Sequence, residues 1–460
     1  MIIDENTFTL PDMLRQPVEN VHRLQDALLK RTIERCYDHH PFYSQLMRRE
    51  GLRPEHITRR DELTRLPPSK KTDFLNDPEA FRMRPEGLPG NEGTLWKVVY
   101  TTGTSSGRPA PIYITSYDHS AYLYLFKDRQ DLIGLRDNDL IANLFPMTGF
   151  PMGAYSRGAD EAAAVGAGII FGNTGRTDMA FPVNRSLDEA VTAIARHRAT
   201  VICGVPGFMR RVLIRAQETS ADFSSVRMVM MTGEASSRAM RQDFRNRMQA
   251  LGCADTTITN RYGSTEQSAN MVECCDGSGF HSSAPDQVFH EILDEATGTR
   301  LPDGETGMLA LTHLNRRGSV FLRYEVGDVG SLDHSPCPHC GRTSVRLSSN
   351  PVRTGDIIKI RGALVNLGNL KEEFDRMPSL DEYQIVVTSQ EPSNPFSPDE
   401  LLIRIGPSQS YTGDLTQVIA ARVTELTNLR ARVEILRRDD IFDPSSMGKP
   451  KRIVDERLTR

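Results

Sequence analysis

Strand-like and helix-like patterns alternate over the first half of the chain, and this alternation constrains the fold more than any other sequence feature. Short apolar runs typical of buried strands occur at 96–100, 140–145, 199–206 and 226–234. Between two of them, residues 186–197 have the apolar spacing of an amphipathic helix. Alternation of this kind favours an α/β fold with a largely parallel sheet.

The pattern changes twice further along the chain. Residues 285–330 indicate antiparallel strands joined by turns that contain Gly, Pro or Asp. Beyond 353–356, the order β-α-β-β-α-β over roughly 100 residues predicts a small α+β domain. We therefore predict a large α/β N-terminal domain with sheets and flanking helices at 1–353, and a small, mobile α+β lid at 354–460.

Composition excludes several classes of protein. The 56 Lys and Arg residues against 60 Asp and Glu give a net charge of −4, so no basic surplus indicates a nucleic-acid partner. No apolar run is long enough to span a membrane. The acidic start, MIIDENTFTLPD, lacks a secretory signal, and seven cysteines are too few for a disulfide scaffold. We expect a cytoplasmic protein with neither a nucleic-acid nor a membrane partner.

A loop rich in hydroxyl groups follows the strand-like run 96–100. Its sequence over 101–109 is TTGTSSGRP. Backbone amides freed by the two glycines, together with the hydroxyls, could wrap a polyphosphate. The candidate residues are Thr101, Thr102, Gly103, Thr104, Ser105, Ser106 and Gly107. A plain Ser/Gly turn is the alternative. The loop is not a P-loop, because no Gly-Lys-Ser/Thr closes it.

Three further motifs carry candidate chemistry. In NRYGSTEQ (260–267), Tyr262 offers a flat ring for a purine, Thr265 a donor to phosphate, and Glu266 a hard oxygen ligand for Mg²⁺. In RYEVGDVG (323–330), Asp328 could accept both hydroxyls of a ribose. In MGKPKRIVD (447–455), Lys449 provides a cation. Taken singly, these motifs can also be interpreted as a strand end, ordinary turn chemistry and a solvated basic tail.

The four motifs together, in this order, resemble those of the adenylate-forming (ANL) superfamily, which includes acyl-CoA synthetases, peptide-synthetase adenylation domains and luciferases. The resemblance is closer to the phenylacetate–CoA ligase branch. It includes YDHHPFY (37–43), TGEA (232–235), MVECCDGSGFH (271–281) and CPHCGRTSVR (337–346), and it continues through RTGDIIKIRG to the final GKPKRIVD. It therefore covers essentially the whole chain.

The resemblance implies an ATP site. The hydroxyl loop would hold the β- and γ-phosphates, and Tyr262 would pack on the adenine. Thr265 would contact the α-phosphate, Glu266 would bind Mg²⁺, and Asp328 would hold the ribose. The other residues that the resemblance implies for binding ATP or AMP are Gly233, Glu234, Gly263 and Arg353.

The resemblance also implies a mobile lid that takes part in catalysis. Lys449 would stabilise the α-phosphate while the carboxylate attacks, so it is predicted to be catalytic together with Thr265 and Glu266. Gly362 would line the tunnel for the pantetheine of coenzyme A. The chain departs from the family pattern in the phosphate loop, where the glycines stand one residue further apart, and at the hinge, where Gly355-Asp356 replaces an acidic pair.

The cysteines indicate a structural zinc site. Cys337 and Cys340 form a C-x₂-C pair flanked by Pro and Gly, a spacing typical of zinc ligands. In relatives, residues such as Cys274 and His281 complete a four-ligand site, although Cys275 could replace its neighbour. Buried or idle thiols are the alternative. A closed site would brace loops and perform no chemistry.

The acyl pocket is the least defined region. Relatives line the organic group of the carboxylate with the segments that are here 144–155 and 203–208. The candidate pocket residues are Phe145, Met147, Phe150, Tyr155, Val205 and Pro206. They suggest an apolar or aryl substrate, although Met and Phe at such spacing are more often core residues. Arg157 and Arg176 are candidates to meet a second charge of the substrate.

These features predict an ATP-dependent ligase. It would activate an aryl or arylacetic acid as acyl-adenylate and transfer the acyl group to coenzyme A, giving a thioester, AMP and pyrophosphate. One alternative passes the acyl group to an amine or to a carrier-protein thiol. Another is a zinc-braced regulator that binds nucleotide without catalysis. Relatives also suggest a homodimer.

Overall fold

The computed structural model describes most of the chain. The described residues are 3, 6–101, 109–146, 153–172, 186–234, 236–253, 255–348, 351–353, 357–360, 363–390, 397–408, 411, 413–444 and 450–459. The phosphate-loop residues Thr102 to Gly107 lie outside them, as do Met147, Phe150, Gly362 and Lys449.

The α-helices of the described residues occur in two groups, before residue 251 and after residue 366. They are α1 Val18–His39, α2 Pro41–Arg49, α3 Lys71–Asn76, α4 Ser116–Asp128, α5 Gln130–Ile133, α6 Gly153–Val165, α7 Leu187–His197, α8 Pro206–Glu218, α9 Arg238–Ala250, α10 Leu367–Asp375, α11 Leu415–Thr427 and α12 Arg438–Ile441. None of them is long and apolar enough to cross a membrane.

The strands alternate with helices as far as residue 262, follow one another from there to residue 366, and are again interspersed with helices beyond it. They are β1 Leu95–Tyr100, β2 Pro111–Thr115, β3 Leu140–Asn143, β4 Gly168–Phe171, β5 Val201–Gly204, β6 Met228–Thr232, β7 Thr257–Tyr262, β8 Met271–Glu273, β9 Phe280–Ser282, β10 Val288–Leu293, β11 Gly307–His313, β12 Tyr324–Gly330, β13 Leu332–Asp333, β14 Arg346–Leu347, β15 Val352–Arg353, β16 Ile357–Ile360, β17 Ala363–Asn366, β18 Leu380–Ser389, β19 Asp399–Pro407, β20 Ala431–Ile435 and β21 Ile453–Asp455.

Contacts divide the chain into two compact units. Unit 1 comprises residues 1–141, 149–169 and 259–351, and unit 2 comprises 142–148, 170–258 and 352–460. The C-terminal residues therefore group with 170–258, which the sequence did not indicate. The predicted domain boundary at 353/354 stays a prediction.

Unit 1 is built on antiparallel strands. β10, β11 and β12 pair in that order, and β7, β8, β9, β14 and β13 form a second ladder. The predicted antiparallel character of 285–330 is therefore confirmed. Helices α1 and α2 contribute Leu24, Ile33 and Met47 to a core that also contains Phe321 and Tyr324. β1 pairs with β2 in a separate antiparallel hairpin around the hydroxyl loop.

In unit 2, helices α7, α8 and α9 cover strands β5 and β6, which run parallel. The predicted helix at 186–197 is confirmed as α7, and its start has a local cause. The Ser186 hydroxyl accepts from the Glu189 backbone N–H at 3.2 Å, while the Glu189 carboxylate accepts from the Ser186 N–H at 2.7 Å. This capping box satisfies donors that the first turn would otherwise leave without partners.

The C-terminal part of unit 2 has its own apolar core. β18 and β19 pair antiparallel, β20 and β21 lie parallel on either side of them, and helices α10 and α11 cover the sheet. The predicted β-α-β-β-α-β order appears as β16, α10, β18, β19, α11 and β20. The additional elements β17, α12 and β21 are short and had no clear signal of their own.

Candidate functional site

Two of the predicted nucleotide-binding residues meet although they are far apart in sequence. Tyr262 is the last residue of β7, and its hydroxyl donates to Asp328 Oδ2 at 2.6 Å. Asp328 lies on β12 and is only 9% exposed. The half-buried Tyr262 ring lies 6.0 Å from the ring of Phe280. The predicted adenine and ribose residues therefore form one polar contact between the end of β7 and strand β12.

The residues after Tyr262 turn sharply into a buried segment. A Cβ on Gly263 would lie 2.4 Å from Asn270 Oδ1, so a larger residue there would displace the Asn270 side chain. Glu266 is 5% exposed, and its Oε1 accepts from the Tyr324 hydroxyl at 3.4 Å. Burial and the Glu266 carboxylate raise the pKa of Tyr324, which therefore stays protonated and donates.

Thr265 lies beside the start of α6. Its backbone carbonyl accepts from Arg157 Nη2 at 3.4 Å. A Cβ on Gly153, the first residue of α6, would lie 3.4 Å from Thr265 Cγ2. Thr265 is therefore held between the β7 turn and one face of this helix.

Thr101 closes the β1–β2 hairpin. Its backbone N–H donates to the Ala110 carbonyl at 3.0 Å, and its Oγ1 accepts from the Ala110 N–H at 3.0 Å. The two ends of the hydroxyl loop are thereby held together. The predicted phosphate-binding residues between them lie outside the described residues.

A second set of predicted residues meets within unit 2. Glu234 Oε2 accepts from the backbone N–H of Gly207, in the first turn of α8, at 3.1 Å. A Cβ on Gly207 would lie 2.4 Å from Pro450 Cγ. The TGE turn after β6, the start of α8 and the residue that follows Lys449 therefore lie together. Lys449 itself is outside the described residues.

The predicted pocket residues are mostly buried. Phe145, Val205 and Pro206 are buried, and a Cβ on Gly233 would lie 3.7 Å from Val205 Cγ2. Tyr155, on α6, is half-buried. Met147, Phe150 and Arg176 lie outside the described residues, as does the Arg353 side chain.

A cavity in unit 1 begins at the segment that follows Glu266. It encloses about 600 Å³ of unfilled space, part of which is open to solvent. Gln267, Ser268 and Ala269 form one wall, and residues of β1, β2, α4, α6 and β10, together with Gln287 and Arg316, form the others. None of the six predicted pocket residues is among those that line it.

The Cys and His residues predicted to bind a metal form one cluster. The ligand atoms of Cys274, His281, Cys337 and Cys340 all lie within 4.8 Å of one another. Cys274 Sγ is 3.9 Å from Cys337 Sγ, and Cys340 Sγ is 3.6 Å from His281 Nε2. Cys275 is exposed, and Cys274 is the member of the cluster.

The backbone around the cluster is itself ordered by hydrogen bonds. The Cys337 N–H donates to the Arg342 carbonyl at 2.8 Å, and the Gly341 N–H donates to the Cys337 carbonyl at 2.9 Å. These bonds close the turn that carries Cys340. The hydroxyl of Ser344 lies 3.4 Å from His281 Nδ1, which leaves Nε2 for the cluster.

Comparison with known proteins decides the family. Residues 16–315, more than half of the chain, match the family of AMP-binding enzymes. The chain belongs to this family.

Two curated relatives of this AMP-binding enzyme match it over nearly their whole length. It is 27% identical over 442 residues to the phenylacetate-coenzyme A ligase of Thermus thermophilus, covering 94% of this chain and 92% of that protein. It is 22% identical over 454 residues to the phenylacetate-coenzyme A ligase of Aromatoleum evansii, covering 95% of each.

Solved structures share its fold. A 2-hydroxyisobutyryl-CoA ligase in complex with 2-HIB-AMP superposes with a TM-score of 0.79 at 21% identity, covering 100% of this chain and 94% of that one. These findings confirm the α/β fold and the adenylate-forming superfamily in its phenylacetate–CoA ligase-like branch. They also confirm the predicted class of AMP-forming acid–thiol ligase.

Four residues that line the cavity of this AMP-binding enzyme were not predicted from its sequence. Lys97, His119, Tyr122 and Asp160 come from three elements that are separate in the chain. A weak signal was present, because His119 and Tyr122 on α4, and Arg157 and Asp160 on α6, are each spaced three residues apart and so share a helix face. Nothing in the sequence indicated that these faces meet.

Proposed function

We propose that this chain activates an aryl or arylacetic carboxylic acid with ATP and transfers the acyl group to coenzyme A. The observation that carries the proposal is the position of Thr265 and Glu266. They follow the Tyr262–Asp328 contact directly, and they adjoin a mostly apolar cavity, the kind of site that binds small organic molecules. The similarity to phenylacetate-coenzyme A ligases over 94% of the chain supports the same activity.

In the first half-reaction, a carboxylate oxygen of the acid attacks the α-phosphorus of ATP, and the bond to pyrophosphate breaks. Both reactants are anions, so the attack requires cations and hydrogen-bond donors where negative charge develops. Thr265 and the lid residue Lys449 are proposed for this role. Tyr262 and Asp328 would orient the adenosine, so that the α-phosphate is aligned with the acid.

Glu266 is the proposed ligand for Mg²⁺. Its buried carboxylate is a hard oxygen donor of the kind that Mg²⁺ prefers, and Tyr324 contacts only one of its two oxygens among the described residues. When bound, the ion would neutralise charge on the phosphates. In the second half-reaction, the thiolate of coenzyme A attacks the acyl carbon and AMP leaves. Gly362 is the proposed contact for the pantetheine.

We further propose that the Cys/His cluster binds structural zinc. Tetrahedral ligation with Zn–S of about 2.3 Å and Zn–N of about 2.0 Å requires S···S distances of about 3.8 Å and S···N distances of about 3.5 Å. The distances of 3.9 Å and 3.6 Å fit this geometry. Three thiolates and one imidazole fill all four positions, so the ion would brace β8, β9 and the turn that carries Cys337 and Cys340. The predicted homodimer and the cytoplasmic location stay predictions.

The test is carboxylate-dependent exchange between ATP and pyrophosphate, measured with the purified protein and a panel of aryl and arylacetic acids. We expect exchange with at least one acid, and a thioester detected by mass spectrometry only when coenzyme A is present. A product formed with an amine or carrier protein, but not with coenzyme A, would favour the alternative acceptors. Absence of exchange with the whole panel would favour a nucleotide-binding regulator.

A further inference from the structure

The cavity of unit 1 begins next to the residues proposed for adenylation. Arg157 lines it and donates to the Thr265 carbonyl, and Gln267 and Ser268 continue its wall from Glu266. Because Gly153 also lies against Thr265, the first turn of α6 marks the end of the cavity that is nearest the reacting groups.

A charged group lies further along the same helix. Asp160 is seven residues beyond Gly153, which corresponds to ~10 Å along the axis of α6. It is three residues beyond Arg157, whose Nη2 donates to the Thr265 carbonyl. Its Oδ2 accepts a hydrogen bond from Lys97 Nζ on β1 and lies 4.0 Å from His119 Nδ1 on α4. The three side chains are 17%, 21% and 14% exposed, respectively. We call these three residues the distal polar group.

Apolar side chains form most of the cavity wall. They include Val99, Ile114, Leu125, Ala269 and Val288. The ring of Tyr122 adds a flat surface, while its hydroxyl is held by Glu161 at 3.2 Å. A wall of this kind can pack against a hydrophobic, planar group such as an aromatic ring, and it excludes water from that group.

The side chains that line the cavity include more cations than carboxylates. The lining contains three cations, Lys97, Arg157 and Arg316, and two carboxylates. Arg316 lies 4.0 Å from Asp118, and Lys97 contacts Asp160. Among the described residues, no carboxylate lies within 4.0 Å of Arg157, which is half-buried. A carboxylate of the substrate would complete this pairing at the end nearest Thr265.

The distal polar group keeps hydrogen-bonding capacity. An ammonium has three donors and a carboxylate has several acceptor sites, and a single hydrogen bond joins Lys97 to Asp160. A phenolic hydroxyl can donate to Asp160 and accept from Lys97 with one atom. A carboxylate in its place would be repelled by Asp160, and an ammonium by Lys97. Burial lowers the pKa of His119, so its ring is neutral near pH 7 and does not change this balance.

We propose that the enzyme is specific for hydroxyaryl carboxylic acids, which bind with the carboxylate at Arg157 and the ring hydroxyl between Lys97 and Asp160. This inference rests on the proposed function, because it assigns the cavity to the acid that is adenylated. It adds the substrate class and two residues that determine specificity.

The experiment compares ATP–pyrophosphate exchange for phenylacetic acid, its meta- and para-hydroxy derivatives and its para-carboxy derivative. We expect kcat/KM to be at least about tenfold higher for one hydroxy derivative than for phenylacetic acid, with the para-carboxy derivative lowest. Equal or higher kcat/KM for phenylacetic acid would overturn the inference and leave the proposed function standing. Absence of exchange with every acid would overturn both.

Variants test the residues themselves. Asp160→Asn should lower the ratio of kcat/KM between the hydroxylated and unsubstituted acids towards one. The matched control Asp188→Asn, on α7 at an exposed ion pair with Arg215 of α8, should leave the ratio unchanged. If Asp160→Asn does not fold because it leaves Lys97 unpaired, the double variant Lys97→Met with Asp160→Asn removes both charges. A ratio that is unchanged in whichever of these variants folds contradicts the inference.

Discussion

The Cys/His cluster and the cavity beside Thr265 are both supported by the segment that runs from β7 to β9, but they differ in how they use their polar groups. The cluster is closed, since its four ligand atoms lie within 4.8 Å of one another and backbone hydrogen bonds hold the surrounding turns. The cavity is open, with about 600 Å³ of unfilled space and charged groups at two points.

This difference separates a structural role from a role in chemistry. A closed set of four ligands leaves no position for a substrate, so its binding energy stabilises the fold. Charged groups that line unfilled space can instead contribute to binding a ligand. Substitutions in the cluster should therefore change stability, whereas substitutions around the cavity and nucleotide site should change activity.

The largest effect is expected at the nucleotide site, for Lys449→Ala. Loss of the cation at the α-phosphate should lower the rate of adenylation by roughly 10²–10³-fold, because charge that develops in the transition state loses its partner. Thioester formation from supplied acyl-adenylate should largely survive. Separate assays of the two half-reactions check this, and equal loss of both would place the catalytic lysine elsewhere.

Substitutions in the Cys/His cluster should lower the stability of the protein without changing its substrate specificity. Cys337→Ser should abolish metal binding and lower the free energy of unfolding by roughly 2–4 kcal/mol, because the loops lose their common ligand. Metal analysis of the purified protein and denaturant unfolding give the two readouts. Unchanged metal content would exclude the zinc site.

A smaller effect is expected for Tyr262→Phe. The variant keeps the ring but removes the hydroxyl that donates to Asp328 at 2.6 Å. We expect KM for ATP to rise by about tenfold, which corresponds to ~1.4 kcal/mol, while unfolding changes little. A loss of stability without a change in KM would assign the contact to the fold and break the contrast between the two regions.

The smallest effect is expected for Cys275→Ser, the matched control for Cys337→Ser. Cys275 is exposed and adjacent to the cluster but not part of it. Metal content should be unchanged, and the free energy of unfolding should shift by less than about 0.5 kcal/mol. Loss of metal in this variant would show that the neighbouring cysteines exchange roles.

Much of the local structure was predictable because its causes are local. Ser186 and Glu189 mark the start of α7 within one turn, and the apolar run of β10 is bounded by turn residues. The antiparallel hairpin of β1 and β2 was not predicted. An apolar run indicates a strand but does not say which strand will pair with it.

The sequence by itself determined the family, the order of the motifs and the residue types available for chemistry, since these depend on neighbours along the chain. Only the tertiary structure decided that Tyr262 meets Asp328, that Cys274 and not Cys275 joins the cluster, and that Lys97 pairs with Asp160. The first and third contacts join residues that are more than 60 positions apart in the sequence. The second depends on which of two adjacent cysteines faces the other ligands. Such choices depend on how elements pack, and helical or strand periodicity carries no information about them.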